Sequence, residues 1–257
     1  MEFISKKRLI YLKKLNQKRY RAIEKRFIIE GEKLIKEALD SNFEIELILC
    51  DKEFYEKNPN LINIIKSKDI EVLYIHSKES KLISDVVTPQ GIFGILKITE
   101  KEFDPSLKKK NAEFIALDNI SDAGNLGTII RTAYWFGLDG IIIGENSIEI
   151  YNPKVIRSSM GSIFYIPIWD NINLKEKILE LKKIGYKIIS ADPTGNDSIK
   201  KLNLQFPKVI ILGSESHGIS TEITELFDFR IKIKGTKRFD SLNLAVAAGI
   251  IMWEMKK

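Results

Sequence analysis

Hydrophobic positions along the chain form short runs that alternate between the spacing of strands and the spacing of helices. In the first hundred residues this pattern predicts a helix over 6–20, followed by alternating short strands and helices. The predicted strands cover 27–29, 44–50, 72–75 and 91–98, and the predicted helices cover 32–39, 61–67 and 78–84. Alternation of this kind indicates a small α/β domain.

A polar stretch at 97–111 separates this segment from a second one. It reads KITEKEFDPSLKKKN and has no apolar periodicity. Beyond it, the predicted strands lie at 113–117, 140–143, 163–168, 187–190, 209–212 and 230–233, and the predicted helices at 126–136, 153–160, 174–184, 221–226 and 242–255. Strands that alternate with helices predict a mostly parallel sheet covered on both faces. We therefore expect two α/β domains, at 1–100 and 110–257.

The composition is that of a folded protein. Hydrophobic residues make up 44% of the 257 residues, which is enough for packed cores. No apolar run approaches the ~20 residues that cross a bilayer, and the first residues lack the apolar core of a signal peptide. The single cysteine, Cys50, excludes an internal disulfide and favours a reducing compartment. We expect a soluble cytoplasmic protein.

Positive charge is concentrated at the start of the chain. Residues 1–30 contain ten Lys or Arg and three acidic residues, a net charge of +7, whereas the whole chain carries +6. A clustered basic segment attracts a polyanion by releasing its counterions, so this segment predicts binding to a polyanion. The candidate phosphate contacts are Lys13, Lys14, Lys18 and Arg19. The alternative is an amphipathic helix whose basic face is simply solvated.

The first candidate motif follows the predicted strand 113–117. It has the form N-x-G-x-x-x-R, with Asn125, Gly127 and Arg131. Asn125 is predicted to cap the helix that follows it, and Gly127 allows a close backbone approach. Arg131 lies about one and two-thirds turns further along the same helix. Strand-to-helix junctions of this kind are where α/β folds build their sites.

Two further motifs follow later strands. L-G-S-E-S-H-G at 212–218 comes after an apolar strand, and its glycines permit a tight loop that suits an adenosine ligand. S-L-N-L-A-V-A-A-G at 241–249 begins with Ser241, a favourable N-cap, and continues as a helix of small residues that permits close packing. Each motif alone also fits an ordinary turn or a buried helix.

Together and in this order, the three motifs resemble the SpoU (TrmH-like) family of RNA ribose 2′-O-methyltransferases, part of the SPOUT superfamily. The resemblance covers residues 112–257 and extends more loosely to the N-terminal part, where 27–39 (FIIEGEKLIKEAL) matches the family's substrate-binding domain. It implies an α/β fold with a C-terminal trefoil-knotted methyltransferase domain built on a parallel sheet. It also implies a small N-terminal α/β RNA-binding domain, a homodimer through the C-terminal domain and S-adenosylmethionine as cofactor. The extra domain favours ribosomal over transfer RNA as the substrate.

The resemblance also assigns roles to residues. Arg131 is the leading catalytic residue, acting across the dimer interface, and the other catalytic positions are Asn125, Glu215, Ser241 and Asn243. The positions expected around S-adenosylmethionine are Leu212, Gly213, Gly218, Ile231, Ile233, Leu242 and Leu244. Arg157, in an N-x-K-x-x-R-x-S-x-G segment, is expected to touch RNA. The methyl donor is already activated by its sulfonium charge, so no metal is expected.

The chain departs from the family's pattern just before the last motif. Where the family usually has I-P-M-x-G, this chain reads I-K-I-K-G, with Lys232 in place of the proline, and the loop up to Ser241 is two residues longer. The change adds Lys234, Lys237 and Arg238 as candidate phosphate contacts.

Other functions stay open on the sequence. A nicotinamide- or nucleotide-binding Rossmann protein requires G-x-G-x-x-G and a later acidic residue, whereas this chain offers only G-x-x-G at 124–127. A catalytically silent RNA-binding protein of the same fold would not need Arg131, Glu215 and Asn243. Transfer RNA is the alternative substrate for an active enzyme.

Overall fold

The computed structural model describes residues 2–99, 111–192, 195, 199, 202, 204–236 and 242–256. Within these ranges the chain forms two compact units. The N-terminal unit contains the described residues of Met1–Glu100 and Tyr151–Phe164, and the C-terminal unit contains those of Lys101–Ile150 and Tyr165–Lys257. In these ranges no helix combines the length and the apolar character that a bilayer-crossing segment needs.

The N-terminal unit is built on a four-stranded mixed sheet. Its strands are β1 (Arg26–Glu30), β2 (Ile45–Cys50), β3 (Glu71–Tyr74) and β4 (Ile92–Lys97). They lie in the order β1–β4–β2–β3, with β4 antiparallel to both its neighbours and β2 parallel to β3. The four strands predicted in this half of the chain are confirmed.

Six helices connect and flank these strands within the described part of this unit. They are α1 (Lys6–Lys14), α2 (Lys18–Glu24), α3 (Glu32–Leu39), α4 (Lys52–Lys57), α5 (Pro59–Ser67) and α6 (Ser77–Ile83). The single helix predicted over 6–20 is wrong, because the chain turns between α1 and α2. The buried Arg21 stabilises this turn by donating a 2.7 Å hydrogen bond to the Leu15 carbonyl.

The basic N-terminal segment is an integral part of this unit. Leu9, Leu12 and Leu15 are all buried, and they pack in a cluster with side chains from β1, β2 and β4. Two arginines of this segment also form ion pairs. Arg8 forms a bidentate pair with Glu71, and Arg26 pairs with Glu46. Deleting the segment would therefore remove core side chains as well as charge.

The C-terminal unit contains a six-stranded parallel sheet. Its strands are β5 (Glu113–Asp118), β6 (Gly140–Gly144), β7 (Ile168–Ile172), β8 (Lys187–Ala191), β9 (Lys208–Gly213) and β10 (Phe229–Ile231). They lie in the order β10–β8–β9–β5–β6–β7, and every neighbouring pair is parallel. β5 and β6 are buried at every position, as expected for a sheet covered on both faces.

The later helices follow the predicted order with two changes. They are α7 (Ala123–Trp135), α8 (Pro153–Ser159), α9 (Leu174–Lys183) and α10 (Leu244–Met255). The strand predicted at 163–168 is wrong: Ser162–Phe164 is a 3₁₀ turn, and β7 begins only after Pro167. The helix predicted at 221–226 is a 3₁₀ helix, Thr221–Leu226.

The segment between β6 and β7 packs within the N-terminal unit. Tyr151 lies against Phe27, with ring centroids 4.5 Å apart, and Phe164 meets Phe43 edge to face at 5.3 Å. α8 lies on β1. The apolar run at 163–168 has the composition of a strand because buried runs in turns and in strands are alike in composition.

A buried ion pair joins the first residues of β5 and β9. Lys208 Nζ lies 2.8 Å from Glu113 Oε1, and the Lys208 side chain is only 1% exposed. Lys256, just after α10, contacts the second Glu113 oxygen. The ammonium of Lys208 thus depends on Glu113 for its counter-charge.

Replacing Glu113 by glutamine is therefore expected to lower the free energy of unfolding by about 3 kcal/mol, because a buried charge loses its partner. Denaturant unfolding measures this change. The matched control is Glu53→Gln, which breaks an exposed pair with Lys57 and should be nearly neutral. Equal effects of the two substitutions would contradict the role given to the buried pair.

Candidate functional site

The site residues lie at the carboxyl-terminal edge of the parallel sheet. β5 ends at Asp118 and β9 ends at Gly213, and these two residues are direct register partners. The loops that leave the two strands are therefore neighbours. One leads into α7 with Asn125, and the other carries Glu215. Ligands in parallel α/β sheets bind at this edge.

Three polar side chains from the three sequence motifs meet here. Glu215 Oε1 accepts hydrogen bonds from Asn125 Nδ2 (3.1 Å) and Asn243 Nδ2 (3.1 Å), and also from the Leu244 backbone N–H (3.0 Å). Asn243 Nδ2 also donates to Asn125 Oδ1 at 2.9 Å. We call Asn125, Glu215 and Asn243 the polar cluster. The structure thus brings together residues that are far apart in the sequence.

Two helix caps differ from the sequence prediction. α7 begins at Ala123, and its cap is Asp122, whose carboxylate accepts from the Asn125 backbone N–H at 2.7 Å. The prediction that Asn125 caps this helix is wrong, which leaves its side chain free to reach Glu215. The cap of α10 is Asn243, which accepts from the backbone N–H groups of Ala245 and Val246. The predicted cap, Ser241, lies outside the described residues.

The electrostatics of the polar cluster suit a carboxylate. Glu215 faces the first turn of α10, where the helix dipole is positive and the Leu244 N–H is unpaired within the helix. One carboxylate oxygen receives all three N–H donors. Among the described residues the other oxygen, Oε2, accepts no hydrogen bond, so it is available to a ligand that donates one.

The loop of the second motif is closed by main-chain contacts that only glycine permits. Ser214 and Gly218 exchange two backbone hydrogen bonds, of 3.1 and 2.9 Å. A Cβ on Gly213 would lie 2.2 Å from the Gly218 carbonyl group, which is closer than any real contact. Gly218 itself has φ +68°, in the left-handed region. The loop therefore presents main-chain groups at close range, as an adenosine-binding loop requires.

A second hydrogen-bond network, missed by the sequence analysis, joins the two loops. Asp118 is buried, and its Oδ2 accepts from the Ser220 N–H at 2.7 Å. Its Oδ1 accepts from Asn119 Nδ2, which also donates to Ser220 Oγ. Asn119 has φ +56°, a conformation that asparagine tolerates better than most residues. An Asp-Asn pair at the end of a buried strand was the signal available in the sequence.

Arg131 is not in contact with the polar cluster of its own chain. It lies on an exposed face of α7 with Thr128 and Trp135. Six residues separate it from Asn125, which places it about 9 Å further along the helix axis. Within the described part of the chain its guanidinium group has no hydrogen-bond or ion-pair partner.

The residues predicted to bind the cofactor differ in how far their side chains are exposed to solvent. Leu212, Ile231 and Leu244 have buried side chains, so a ligand at this edge would meet their main chain. The Ile231 carbonyl already accepts from the Asp192 N–H, while the Ile233 side chain is half-buried. Leu242, in contrast, is 46% exposed and is the apolar side chain best placed to cover a ligand.

The predicted RNA contacts lie in the N-terminal unit. Lys13, Lys14, Lys18 and Arg19 are all exposed, and Lys14 lies over the Tyr20 ring at 5.4 Å from its centroid. Arg157, on α8, is half-buried and paired with Asp85. Of the lysines and arginine in the unusual loop, Lys234 is exposed, whereas Lys237 and Arg238 lie outside the described residues.

Other reactive groups do not add to this site. The described residues contain no group of three His, Cys, Asp or Glu side chains that could hold a metal ion. Cys50 is fully buried, and burial raises the pKa of its thiol to about 12. The thiol therefore stays protonated at neutral pH and is a poor nucleophile.

Both halves of the chain match models of known protein families. Residues 113–253 match the model of the SpoU rRNA Methylase family, and residues 6–94 match the MRM3-like substrate binding domain. A tRNA/rRNA methyltransferase of Archaeoglobus fulgidus is 31% identical over 79% of this chain and 88% of that protein. The 23S rRNA (guanosine(2553)-2′-O)-methyltransferase RlmP of Bacillus subtilis is 29% identical over 95% of this chain and 94% of that protein.

Solved structures show the same likeness over the whole chain. The AdoMet-bound rRNA methyltransferase from Sinorhizobium meliloti superimposes with a TM-score of 0.86 at 27% identity, covering 100% of this chain and 96% of that one. The SpoU methyltransferase AviRb from Streptomyces viridochromogenes, in complex with AdoMet, gives a TM-score of 0.87 at 20% identity over 98% of this chain and 97% of that one, which is a likeness of fold.

Proposed function

This chain belongs to the SpoU rRNA methylase family, and on that basis we propose that it transfers a methyl group from S-adenosylmethionine to a ribose 2′-hydroxyl of ribosomal RNA. The observation that carries the proposal is the polar cluster, in which residues from all three motifs meet at one sheet edge. The nicotinamide-binding alternative is excluded by the family match over 113–253.

S-adenosylmethionine fits the loops at this edge. The close approach of Gly213 to Gly218 holds the loop after β9 in a tight turn that a side chain at position 213 would not allow. We assign the cofactor to the main chain of Leu212, Gly213 and Gly218. Ile231, Ile233, Leu242 and Leu244 complete its surroundings. When bound, the cofactor supplies a methyl group that its sulfonium charge has already activated.

The remaining chemistry concerns the 2′-hydroxyl, which is a poor nucleophile until its proton moves. Asn125, Glu215 and Asn243 would orient the ribose and accept or donate hydrogen bonds at its hydroxyl groups, and we assign Ser241 the same role on the motif alone. Arginine is almost never deprotonated, so Arg131 is assigned to stabilising the developing alkoxide or to gripping the adjacent phosphate. Positioning in line with the methyl group provides the rest.

The proposed homodimer would bring Arg131 to a partner's site. Trp135, on the same face of α7 as Arg131, is 83% exposed, which is unusual for a tryptophan outside an interface. α10, which packs against α7, exposes a stripe of Val246 (51%), Ile250 (38%) and Trp253 (52%) at helical spacing. Association through this apolar face would cover these side chains and place Arg131 near the polar cluster of the second subunit.

We also propose a knotted path for the C-terminal part of the chain. Its support is the resemblance to the family, and two close approaches are compatible with it. A Cβ on Gly195 would lie 2.5 Å from the Ile231 carbonyl carbon, so the backbone at 195 lies directly against the backbone at 231. Asn243 returns to Glu215, which precedes it by 28 residues. Both contacts fit a chain that passes through its own loop, as the family's fold does.

RNA recognition is assigned to residues 1–100 and methyl transfer to residues 110–257. The match of 6–94 to a substrate binding domain supports this division, as do the exposed cations of the N-terminal segment. The B. subtilis relative named above acts on 23S rRNA, which favours ribosomal over transfer RNA. We place the reaction in the cytoplasm, where such RNA is found in bacteria and archaea.

The basic segment gives a direct test of RNA binding. Reversing the charges of Lys13, Lys14 and Lys18 is expected to weaken binding to every RNA tested and to flatten its salt dependence, because phosphate contacts carry no sequence information. RNA affinity is measured at several salt concentrations. Since these side chains are exposed and the buried leucines are untouched, the variant should stay folded. An unchanged salt slope would mean that this face is only solvated.

The sequence leaves open a catalytically silent RNA-binding protein of the same fold. The intact polar cluster disfavours it, since a binding protein gains nothing from three converging active-site residues. Calorimetry with S-adenosylmethionine, followed by transfer of labelled methyl groups to ribosomal or transfer RNA, separates the candidates. Cofactor binding with transfer to ribosomal RNA supports the proposal, whereas RNA binding without cofactor binding would support the silent protein.

A further inference from the structure

Four aromatic side chains form a continuous surface at one end of the N-terminal sheet, far in sequence from all three motifs. Phe3 stacks on His76 with ring centroids 4.2 Å apart and planes 17° from parallel. Phe3 also meets Tyr74 at 5.4 Å, and Tyr74 meets Tyr55 edge to face at 5.3 Å. We call Phe3, Tyr55, Tyr74 and His76 the aromatic ledge.

The rings of the aromatic ledge are held by rigid backbone. Residues 2–4 run along the edge strand β3, since Ile4 N–H donates to the Tyr74 carbonyl (2.9 Å) and Tyr74 N–H donates to the Glu2 carbonyl (2.8 Å). His76 precedes the first turn of α6, and its carbonyl accepts from the N–H groups of Glu79 and Ser80. The rings are therefore ordered before any ligand arrives, which reduces the entropy lost on binding.

The ledge is open to solvent. Phe3 is 52% exposed, and His76 is exposed as well. Tyr55 and Tyr74 are half-buried and fix the base of the surface. A stacked Phe–His pair left in water at the protein surface gives up apolar burial that a flat ligand would restore.

The charge around the ledge favours an anionic ligand. Three of the nearby acids are neutralised by ion pairs, since Glu71 pairs with Arg8, Glu53 with Lys57 and Glu56 with Lys52. Glu2, Asp51 and Glu79 have no ion-pair partner among the described residues. The lysines without an ion-pair partner outnumber these acids, so the net charge around the ledge is positive. Lys66 Nζ lies 5.3 Å from the Tyr55 ring centroid and 2.9 Å from its hydroxyl oxygen. Lys6, Lys7 and Lys78 are exposed and form no ion pair with the described residues.

We propose that the aromatic ledge stacks an unpaired base of the RNA substrate while the neighbouring lysines contact its phosphates. Aromatic side chains interleaved with cations are the surface that single-stranded RNA recognises, because every base offers a flat π face. Paired bases have no free face, so the ledge would select an unpaired nucleotide. The inference rests on the proposed RNA substrate and deepens it, since it assigns the single-stranded element to a surface outside the methyltransferase unit.

The test measures binding of a short labelled oligoadenylate and of a labelled RNA duplex to the full chain. Phe3→Ala and Phe3→Leu are expected to weaken oligoadenylate binding about tenfold, which is the loss for one stacked base. Phe3→Trp should retain it. Duplex binding should change little in all three variants. The matched control is Ile64→Ala, which truncates a comparably exposed apolar side chain (50%) on α5 and should leave both affinities unchanged.

Two readouts keep the outcomes distinct. Phe3→Leu preserves apolar packing on the edge strand, so an unfolding temperature close to that of the unaltered protein shows that the loss is not structural. S-adenosylmethionine binding, measured on the same variants, should be unchanged, and its absence from the unaltered protein would contradict the proposed function instead. Oligoadenylate binding by Phe3→Leu equal to that of the unaltered protein would overturn the inference. So would an equal loss of duplex binding, or a change in oligomeric state, which would identify the ledge as a protein contact.

Discussion

Replacing Arg131 by alanine is expected to lower methyl transfer by about a hundredfold or more, the usual cost of removing a group that stabilises developing charge. Binding of S-adenosylmethionine should hardly change, because Arg131 lies on the exposed face of α7 and not on the loop at 213–218. Single-turnover transfer and cofactor calorimetry measure the two effects separately. Arg131→Lys should also fail, because a point charge does not replace a planar guanidinium fork. Loss of cofactor binding by a folded Arg131→Ala protein would contradict this assignment.

Subunit mixing shows whether Arg131 acts on its own subunit or on a partner. Chains that carry Arg131→Ala are coexpressed with chains that carry Gly213→Ala. If Arg131 acts across the interface, each mixed dimer has one site that combines the intact cofactor loop of one chain with the intact arginine of the other. Random pairing should therefore restore about a quarter of the sites of the unaltered protein. If Arg131 served its own subunit, the mixture would stay inactive. A monomer by light scattering would also contradict the action of Arg131 across a dimer interface.

Replacing Gly213 by alanine is expected to weaken S-adenosylmethionine binding by about a hundredfold. The added Cβ would lie 2.2 Å from the Gly218 carbonyl group, so the loop has to move. Movement would break the two main-chain hydrogen bonds between Ser214 and Gly218 and displace the main-chain groups assigned to the cofactor. A loss of two contacts worth about 1.4 kcal/mol each corresponds to a hundredfold in affinity. Calorimetry on the folded variant measures the loss.

Gly249→Ala is the matched control for that substitution. Its Cβ would meet only a Thr132 methyl group at 3.8 Å, an ordinary contact, and it lies inside α10 where alanine is favoured over glycine. Cofactor affinity should therefore stay unchanged. If Gly213→Ala also bound the cofactor normally, the loop at 213–218 would not be the cofactor site.

Most elements were predictable because each has a clear local pattern. The α3 helix was predicted with its observed bounds, since Leu34, Ile35 and Ala38 share one buried face. The strands β5 and β9 were found as continuous apolar runs. The break between α1 and α2 was missed because it depends on Arg21 reaching back to Leu15, a tertiary contact that no periodicity encodes.

The sequence predicts which residues form the site better than it predicts how they are arranged. Asn125, Glu215 and Asn243 were singled out by their motifs, and the structure places them in one hydrogen-bonded cluster. The caps of α7 and α10 were misjudged. Asn125 and Ser241 were predicted, whereas Asp122 and Asn243 hold these positions, and only the folded chain decides between neighbouring polar residues. The Asp118–Ser220 contact joins residues 102 positions apart, so no spacing in the sequence points to it.

Alkaline hydrolysis distinguishes methylation of a ribose 2′-hydroxyl from methylation of a base. The 2′-hydroxyl is the nucleophile that cleaves RNA in alkali, so its methylation leaves one phosphodiester bond resistant. Ribosomal RNA that lacks the modification is incubated with the full chain and S-adenosylmethionine carrying a labelled methyl group. We expect the label in an alkali-resistant dinucleotide, and about a hundredfold less of it with Arg131→Ala. Label recovered in single nucleotides, which would place the methyl group on a base, would contradict methylation of the ribose.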